Sequence, residues 1–400
     1  MQDITNKLTK QFNQLFTNDN AKRLFFAPGR VNLIGEHTDY NGGNVFPCAL
    51  DIGTYALVAA RQDNLCRFYS LNFPAQGIIE FEVSNLEFNT AHNWANYPKG
   101  VMVEFIKNGA TLSHGFDVVF YGNIPNGAGL SSSASIEVLM GTILNDYLGT
   151  AYDSVKIALI GQAAENKYIG VGCGIMDQFA SAMGRENHAI LLDCNSLNYQ
   201  YAPLNIAGYK LVIANTNKQR GLADSKYNER LAECREALKL LQSRLTINAL
   251  GELSVETLEK NSDLFTNQTI YQRARHAVAE NQRTLTAVEA LHNNDLVKFG
   301  ELMKQSHISL RDDYAVTGKE LDALVSAAWQ HSGCIGARMT GAGFGGCTVN
   351  LVKADSVEDF IKQVGAEYRK QTNLIAEFYV VSPGDGARKL KEPASRWTAD

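Results

Sequence analysis

Four glycines fall within six residues in Thr340-Gly341-Ala342-Gly343-Phe344-Gly345-Gly346, and a strand pattern follows them. A dinucleotide-binding βαβ unit needs the order strand, GxGxxG, helix, so that unit is excluded here. Alone, the stretch reads as a tight hairpin turn or as a point where backbone approaches something closely. Strand-like and helix-like segments arrive in clusters elsewhere in the chain, not in strict alternation. That order favours an α+β fold over a doubly wound parallel sheet.

Residues 4–16 put Ile4, Leu8, Phe12, Leu15 and Phe16 at near-helical spacing, which predicts an amphipathic helix. Residues 45–60 read as buried strand, and 66–72 and 78–83 alternate as in an antiparallel sheet with one wet face. A strand at 116–125 runs into the turn at 126–129, and a helix runs from the serine cluster to about Leu148. Further helices are predicted at 153–169 (N-cap Asp153 or Ser154), 223–245, 272–305 and 319–331, with strands at 209–214 and after Gly346. The length of 400 residues suggests two domains or at most three. The softest boundary lies near 200–207, giving expected lobes 1–205 and 206–400.

With 37 basic and 42 acidic residues the net charge is −5, which gives no electrostatic reason to expect nucleic acid or an anionic membrane as a partner. Seven scattered cysteines without a CxxC fit neither a disulfide framework nor a zinc site, and free thiols in a reducing cytosol are expected. The N-terminus has no apolar core, so no signal peptide is expected. The longest uncharged run, 118–136, contains Pro125 and a serine cluster and is no membrane span.

Asn126-Gly127-Ala128-Gly129-Leu130-Ser131-Ser132-Ser133 lies between a strand and a helix. Glycines allow close backbone approach, the helix N-terminus attracts an anion, and a serine could reach a metal. The lysine of a P-loop is missing. A plain Gly/Ser turn capping a helix fits as well. Arg30, Asn32, Glu36, His37 and Asp39 crowd into ten residues punctuated by glycines. Such a loop can offer several strong acceptors to sugar hydroxyls, or it is a solvated charged loop. Asp177 is the lone acid in the apolar run GCGIMDQFASAMG, as an active-site acid or as the cap of a helix starting at Gln178. Glu165, near a helix end, alone reads as a surface acid.

Together these stretches are much more specific. PGRVNLIGEHTDYNGG resembles the galactokinase signature, and NGAGLSSSAS the ATP loop of the wider GHMP kinase family. GIMDQF and TGAGFGGC resemble two further motifs of that family in the expected order, so the likeness runs from about residue 20 to 355. The resemblance implies a two-lobed α+β GHMP-kinase-like fold with mixed and antiparallel sheets and an active site between the lobes. It implies phosphorylation of α-D-galactose by ATP at the anomeric hydroxyl, the first step of galactose catabolism. Asp177 would be the base, with Arg30 beside it. Glu36, His37, Thr38, Asp39, Gly174 and Tyr227 would bind the sugar. Asn126, Gly127, Ala128, Gly129, Leu130, Ser131, Ser132 and Ser133 would hold ATP, with Ser70 near the nucleotide. Ser132 and Glu165 would serve Mg²⁺. A cytoplasmic monomer with no obligate protein partner is expected.

Two other readings compete. A kinase for another small alcohol or sugar would share the Gly-rich loops but lack Glu36-His37-Thr38-Asp39. A non-catalytic sugar and ATP sensor would have lost Asp177, Arg30 or the serine loop. Every one of these features is present.

Overall fold

In the computed structural model, residues 2–124, 129–218 and 223–391 are described. A six-stranded sheet runs in the order Arg388–Lys389, Arg23–Asn32, Pro47–Ala60, Phe116–Gly122, Leu65–Ser70, Ile79–Glu82. Its pairs are antiparallel except Leu65–Ser70 with Phe116–Gly122. Strand alternation sorts its side chains onto two faces. Leu24, Phe26, Tyr55 and Leu57 pack under the first helix, Gln2–Leu15, through Leu8 and Phe12. Phe25, Ala27, Ala56 and Val58 face the opposite way, onto the helices Asn96–Lys107 and Ser132–Leu148. Both faces are therefore buried, as the near-continuous burial of Arg23–Asn32 records.

A second sheet, Cys334–Thr340, Cys347–Lys353, Tyr209–Asn215, Glu377–Val381, is wholly antiparallel. Val212, Ala214 and Ala337 pack under Gly318–Gln330 and Val357–Thr372. Leu211, Ile213 and Val349 turn the other way, joining Phe299 and Met303 of the helix Leu296–Asp312. Val31, Leu33, Ile34 and Phe46 belong to that same cluster, so one apolar core couples the two halves of the chain. A small third sheet joins Asn44–Val45, His188–Asp193 and Tyr199–Pro203. The architecture is α+β with mixed and antiparallel sheets, as expected.

Two local departures have clear causes. Residues 272–305 are not one helix but two, Gln268–His292 and Leu296–Asp312. Asn294 takes a left-handed φ of 55°, and Asp295 caps the second helix by accepting from the Lys298 N–H at 2.9 Å. Asp177 does not cap a helix. It lies in the first turn of Met176–Met183, after the cap residue Ile175. The Asp153 cap is as expected, accepting from the Lys156 N–H.

The helix Leu296–Asp312 approaches Cys334–Thr340 through Gly300. A Cβ there would stand 2.0 Å from the Ile335 carbonyl oxygen, with backbone on both sides of the contact. Gly300→Ala is expected to cost about 1–3 kcal/mol by overpacking, read as a lower Tm. An unchanged Tm would mean that helix and strand can separate freely.

Candidate active site

The strand Arg23–Asn32 loses register with Pro47–Ala60 between Pro28 and Arg30. Proline has no N–H to give a ladder, so it fits at such a bulge, and a bulge re-aims the side chain that follows. That side chain is Arg30, which is buried. Its Nε donates to Asp177 Oδ1 at 2.7 Å and one Nη to Asp177 Oδ2 at 2.8 Å. The other Nη donates to the Gly129 carbonyl at 2.9 Å, and the Arg30 backbone N–H donates to Leu130 O. Burial works against the guanidinium charge, but the Asp177 carboxylate outweighs it and the pKa of Arg30 is raised. Ser131, at a left-handed φ of 61° ahead of the helix Ser132–Leu148, donates to Asp177 Oδ2 at 2.5 Å.

A cavity of about 500 Å³ opens over this pair. Arg30, Glu36, His37, Asp39, Gly129, Ser131, Ser132, Ser133, Glu165, Gly174, Asp177 and Tyr227 all line it, with Gly341 and Ala342 from the second Gly-rich stretch. That stretch is a hairpin turn, and it also makes a close approach: a Cβ on Gly341 would lie 2.9 Å from the Gly129 carbonyl oxygen. Ser70 lies outside this cavity. It lines an adjoining one of about 250 Å³ with Asn72, Trp94, Phe120 and Ile136, and Ser132 and Ser133 border both. Asn126, Gly127 and Ala128 fall outside the described residues.

The expected roles divide on closer view. Glu36 is buried and its carboxylate is spent inside the protein. It accepts from the Gly341 N–H at 2.8 Å and from Asn32 Nδ2 at 3.0 Å, and pairs with Arg338 at 3.4 Å. Thr38 does not reach the cavity: its hydroxyl donates within the loop, to the Gly35 or Asn44 carbonyl. The Leu130 side chain is in the apolar core and only its carbonyl serves the site. Gly174 owes its identity to Asp39, whose carboxylate oxygen would be 1.9 Å from a Cβ there. His37 has a left-handed φ of 62°. Its Nδ1 bonds the Tyr40 hydroxyl at 2.7 Å, and burial, then the charge of His276, lowers its pKa to about 3.

Three acids sit close to one another beside the serine loop. Gln178 Nε2 donates to Glu165 Oε2 at 2.6 Å and to Glu137 Oε2 at 2.9 Å. Burial, then the negative charge of Asp177, raises the pKa of Glu165; burial and Glu165 do the same to Glu137. Sequence reasoning missed Glu137, Gln178 and Arg338. Gln178 lies inside the GIMDQF motif, and Glu137 and Arg338 lie two residues outside the serine-loop and second Gly-rich motifs, which was the available signal. Among the described residues no group of three His, Cys, Asp or Glu could hold a metal by itself. The Ser132 hydroxyl and Glu165 carboxylate are nonetheless a hard-oxygen donor pair on a cavity with surplus negative charge. They suit Mg²⁺, which takes few protein ligands and completes its shell with water and phosphate.

Residues 10–60 match the galactokinase galactose-binding signature, 96–185 the GHMP kinase N-terminal domain and 287–370 the GHMP kinase C-terminal domain. A galactokinase from Clostridium beijerinckii is 60% identical over 96% of this chain and 99% of its own. This chain belongs to the galactokinase family. A crystal structure of Lactococcus lactis galactokinase in complex with galactose superimposes with a TM-score of 0.95 at 48% identity, covering 97% of this chain and 100% of that one. Mevalonate kinase from Methanococcus jannaschii, at 17% identity and a TM-score of 0.63 over 92% of this chain and all of its own, shares the fold alone. The galactokinase signature therefore coincides with the loop that carries Arg30, Glu36, His37 and Asp39.

Asp39 gives this site a pH signature. Burial, then the charge of Asp177, pushes its carboxyl from 3.8 up to about 7. Between these values the folded chain holds a proton that the unfolded chain has lost, so Asp39 costs more stability as pH rises. Asp39→Asn is expected to raise Tm more at pH 8 than at pH 5. An equal shift at both pH values would mean that Asp39 stays ionised throughout.

Proposed function

We infer that the protein transfers the γ-phosphoryl group of ATP to the anomeric hydroxyl of α-D-galactose, giving galactose 1-phosphate and ADP. The observation that carries this reading is the Arg30–Asp177 pair at the floor of a cavity bordered by both the galactokinase signature loop and the serine loop. Phosphoryl transfer needs positioning and charge neutralisation more than covalent chemistry.

Asp177 acts as the base. Its Oδ2 already accepts from Arg30 and Ser131, whereas Oδ1 accepts from Arg30 alone. Oδ1 therefore keeps a lone pair for the proton of the sugar hydroxyl. Arg30 holds the carboxylate in one orientation through two parallel bonds and offers positive charge beside the transferring group. Asp39, His37 and Tyr227 contact the sugar, and Gly174 gives Asp39 room. Glu36 belongs to this set as a brace, since its oxygens are engaged by Gly341, Asn32 and Arg338. The serine loop takes the ATP phosphates, and the adjoining cavity beside Ser70 takes the rest of the nucleotide. Ser132 and Glu165 hold Mg²⁺, which when bound neutralises phosphate charge.

The lobe division belongs to the same proposal. It falls in the connection between Tyr199–Pro203 and Tyr209–Asn215, with Arg388–Lys389 returning to the first sheet. A cytoplasmic setting fits the seven cysteines, all of them free thiols. No helix among the described residues is long and apolar enough to cross a membrane.

Asp177→Asn is expected to lower kcat by about 10²–10⁴-fold, the range of a general base. Turnover of the purified, folded variant within about fivefold of wild type would remove Asp177 from that role, since one base normally contributes far more. Ser132→Ala and Glu165→Ala should each raise the Mg²⁺ concentration needed for half-maximal rate. Wild-type Mg²⁺ titrations in both variants would leave the metal to ATP and water.

A further inference from the structure

A line of hydrogen bonds runs from the cavity wall into the core. His37 Nδ1 meets the Tyr40 hydroxyl at 2.7 Å, Tyr40 meets the Tyr314 hydroxyl at 2.8 Å, and Tyr314 meets Cys234 Sγ at 3.1 Å. Asn41 closes the line. Its Nδ2 donates to the His37 carbonyl at 2.8 Å and to Cys234 Sγ at 3.6 Å. Tyr314 and Cys234 are buried. The Tyr314 ring packs against both His37 and His276, at centroid distances of 4.9 and 4.5 Å. At the cavity end, His37 Nε2 is buried and makes no well-formed hydrogen bond, although the Ala342 backbone, which lines the same cavity, acts on the ring as an acceptor.

Each hydroxyl and the thiol has one hydrogen to give, so the line can run in one of two directions. In one, Cys234 donates to Tyr314, Tyr314 to Tyr40, and Tyr40 to His37 Nδ1. Every donor then has an acceptor, and the sulfur also accepts from Asn41. In the other, His37 Nδ1–H donates outward and the Cys234 hydrogen is left without an acceptor among the described contacts. Burial pushes the thiol up to about 11, so that hydrogen is present at neutral pH. The 2.7 Å separation at His37 also matches an O–H donor better than an N–H donor, whose usual distance is about 2.9–3.0 Å.

We propose that Tyr40, Tyr314 and Cys234 are positioning residues that fix the neutral His37 ring with its proton on Nε2, presenting an N–H donor to one hydroxyl of the sugar. This rests on the reading that His37 faces galactose. Its consequence is directional recognition. His37 and Asp39 line the same cavity, and a hydroxyl can accept from the imidazole N–H while donating to the Asp39 carboxylate. A ring with the opposite tautomer would offer two acceptors to that one hydroxyl and no donor. Selection between tautomers thus occurs in the core, away from the sugar.

Two-bond ¹H–¹⁵N spectra of histidine-labelled enzyme, read with and without galactose, test this. The wild-type His37 signal, assigned through His37→Ala, is expected to show a proton on Nε2 and to shift on adding galactose. Tyr40→Phe removes the donor to Nδ1. It should give a mixed tautomer and raise the galactose KM about five- to tenfold, the worth of about one hydrogen bond. Its kcat should stay within about twofold, as for loss of ground-state binding. Tyr314→Phe and Cys234→Ala break the line further in and should move the tautomer in the same direction, which keeps the test open if Tyr40→Phe folds poorly. A wild-type ring protonated on Nδ1, or a Tyr40→Phe enzyme with unchanged tautomer and KM, overturns the inference. A correct tautomer with an unchanged galactose KM in His37→Ala would instead sink the sugar assignment on which it rests.

Discussion

One guanidinium organises the cleft. Arg30 commits two nitrogens to Asp177, one to the Gly129 carbonyl, and its backbone N–H to Leu130. The acid and the serine loop are thereby held by a single side chain, and that side chain is aimed by a bulge at a proline. The Arg30–Asp177 pair, with Arg30 buried and Asp177 partly open to the cavity, is poor evidence for stability, because desolvation offsets much of the Coulombic gain. Its value here is geometric. Two parallel bonds leave the carboxylate one orientation, and the Ser131 hydroxyl takes a further lone pair. One carboxylate oxygen is left with capacity for a proton.

The loop carrying His37 is held by buried carboxylates from both sides. Glu36 accepts from the Gly341 N–H and pairs with Arg338. Glu280, fully buried on the helix Gln268–His292, accepts from the Gly35 N–H at 3.0 Å and from Ser306 at 2.5 Å, and pairs with Arg283. These contacts join residues some 250–300 positions apart in the chain. Such an anchor explains how His37 persists at a left-handed φ, a conformation costing of order 1–3 kcal/mol for a side chain like this. Strain of that size survives only where the surroundings leave no alternative.

How much of this was legible in the sequence differs from residue to residue. The elements were mostly legible, because apolar periodicity is local: the first helix, the alternating strands and the Asp153 cap follow from it. The break at Asn294 was not, since the flanking apolar residues keep helical spacing and only the Asn-Asn-Asp run betrays it. The site motifs were legible as groups, but not what each side chain does within them. Thr38 and Glu36 lie one residue to either side of His37, yet Thr38 turns into its own loop and Glu36 toward Gly341. Ser131 spends its hydroxyl on Asp177 instead of keeping it for phosphate. For Ser131 and Glu36 those directions are set by partners about 46 and 300 residues away, whereas Thr38 bonds carbonyls only 3 and 6 residues away. The roles of Arg338, Glu137 and Gln178 were not legible for the same reason as that of Glu36, although all three lie in or beside the motifs. An arginine in a strand or a glutamate in a helix reads as surface until tertiary packing buries it.

The charge balance of the cavity accounts for how the proposed phosphate loop works without a lysine. Its described lining carries Glu36, Asp39, Glu165 and Asp177 against one cation, Arg30. Glu36 is neutralised from behind by Arg338, and Arg30 is taken up by Asp177. What remains are Glu165 and, near neutral pH, a partly ionised Asp39, with no cation of their own among the described residues of the wall. A bare polyphosphate would be repelled by that surface, since like charges in a partly dry cleft are weakly screened. A sugar hydroxyl is not repelled; it gains strong acceptors. Carboxylates on that wall therefore favour ATP arriving with its charge offset, which the proposed Mg²⁺ at Ser132 and Glu165 would supply. On the proposed reading, the part played by the lysine of a P-loop falls to a cation bound with the substrate.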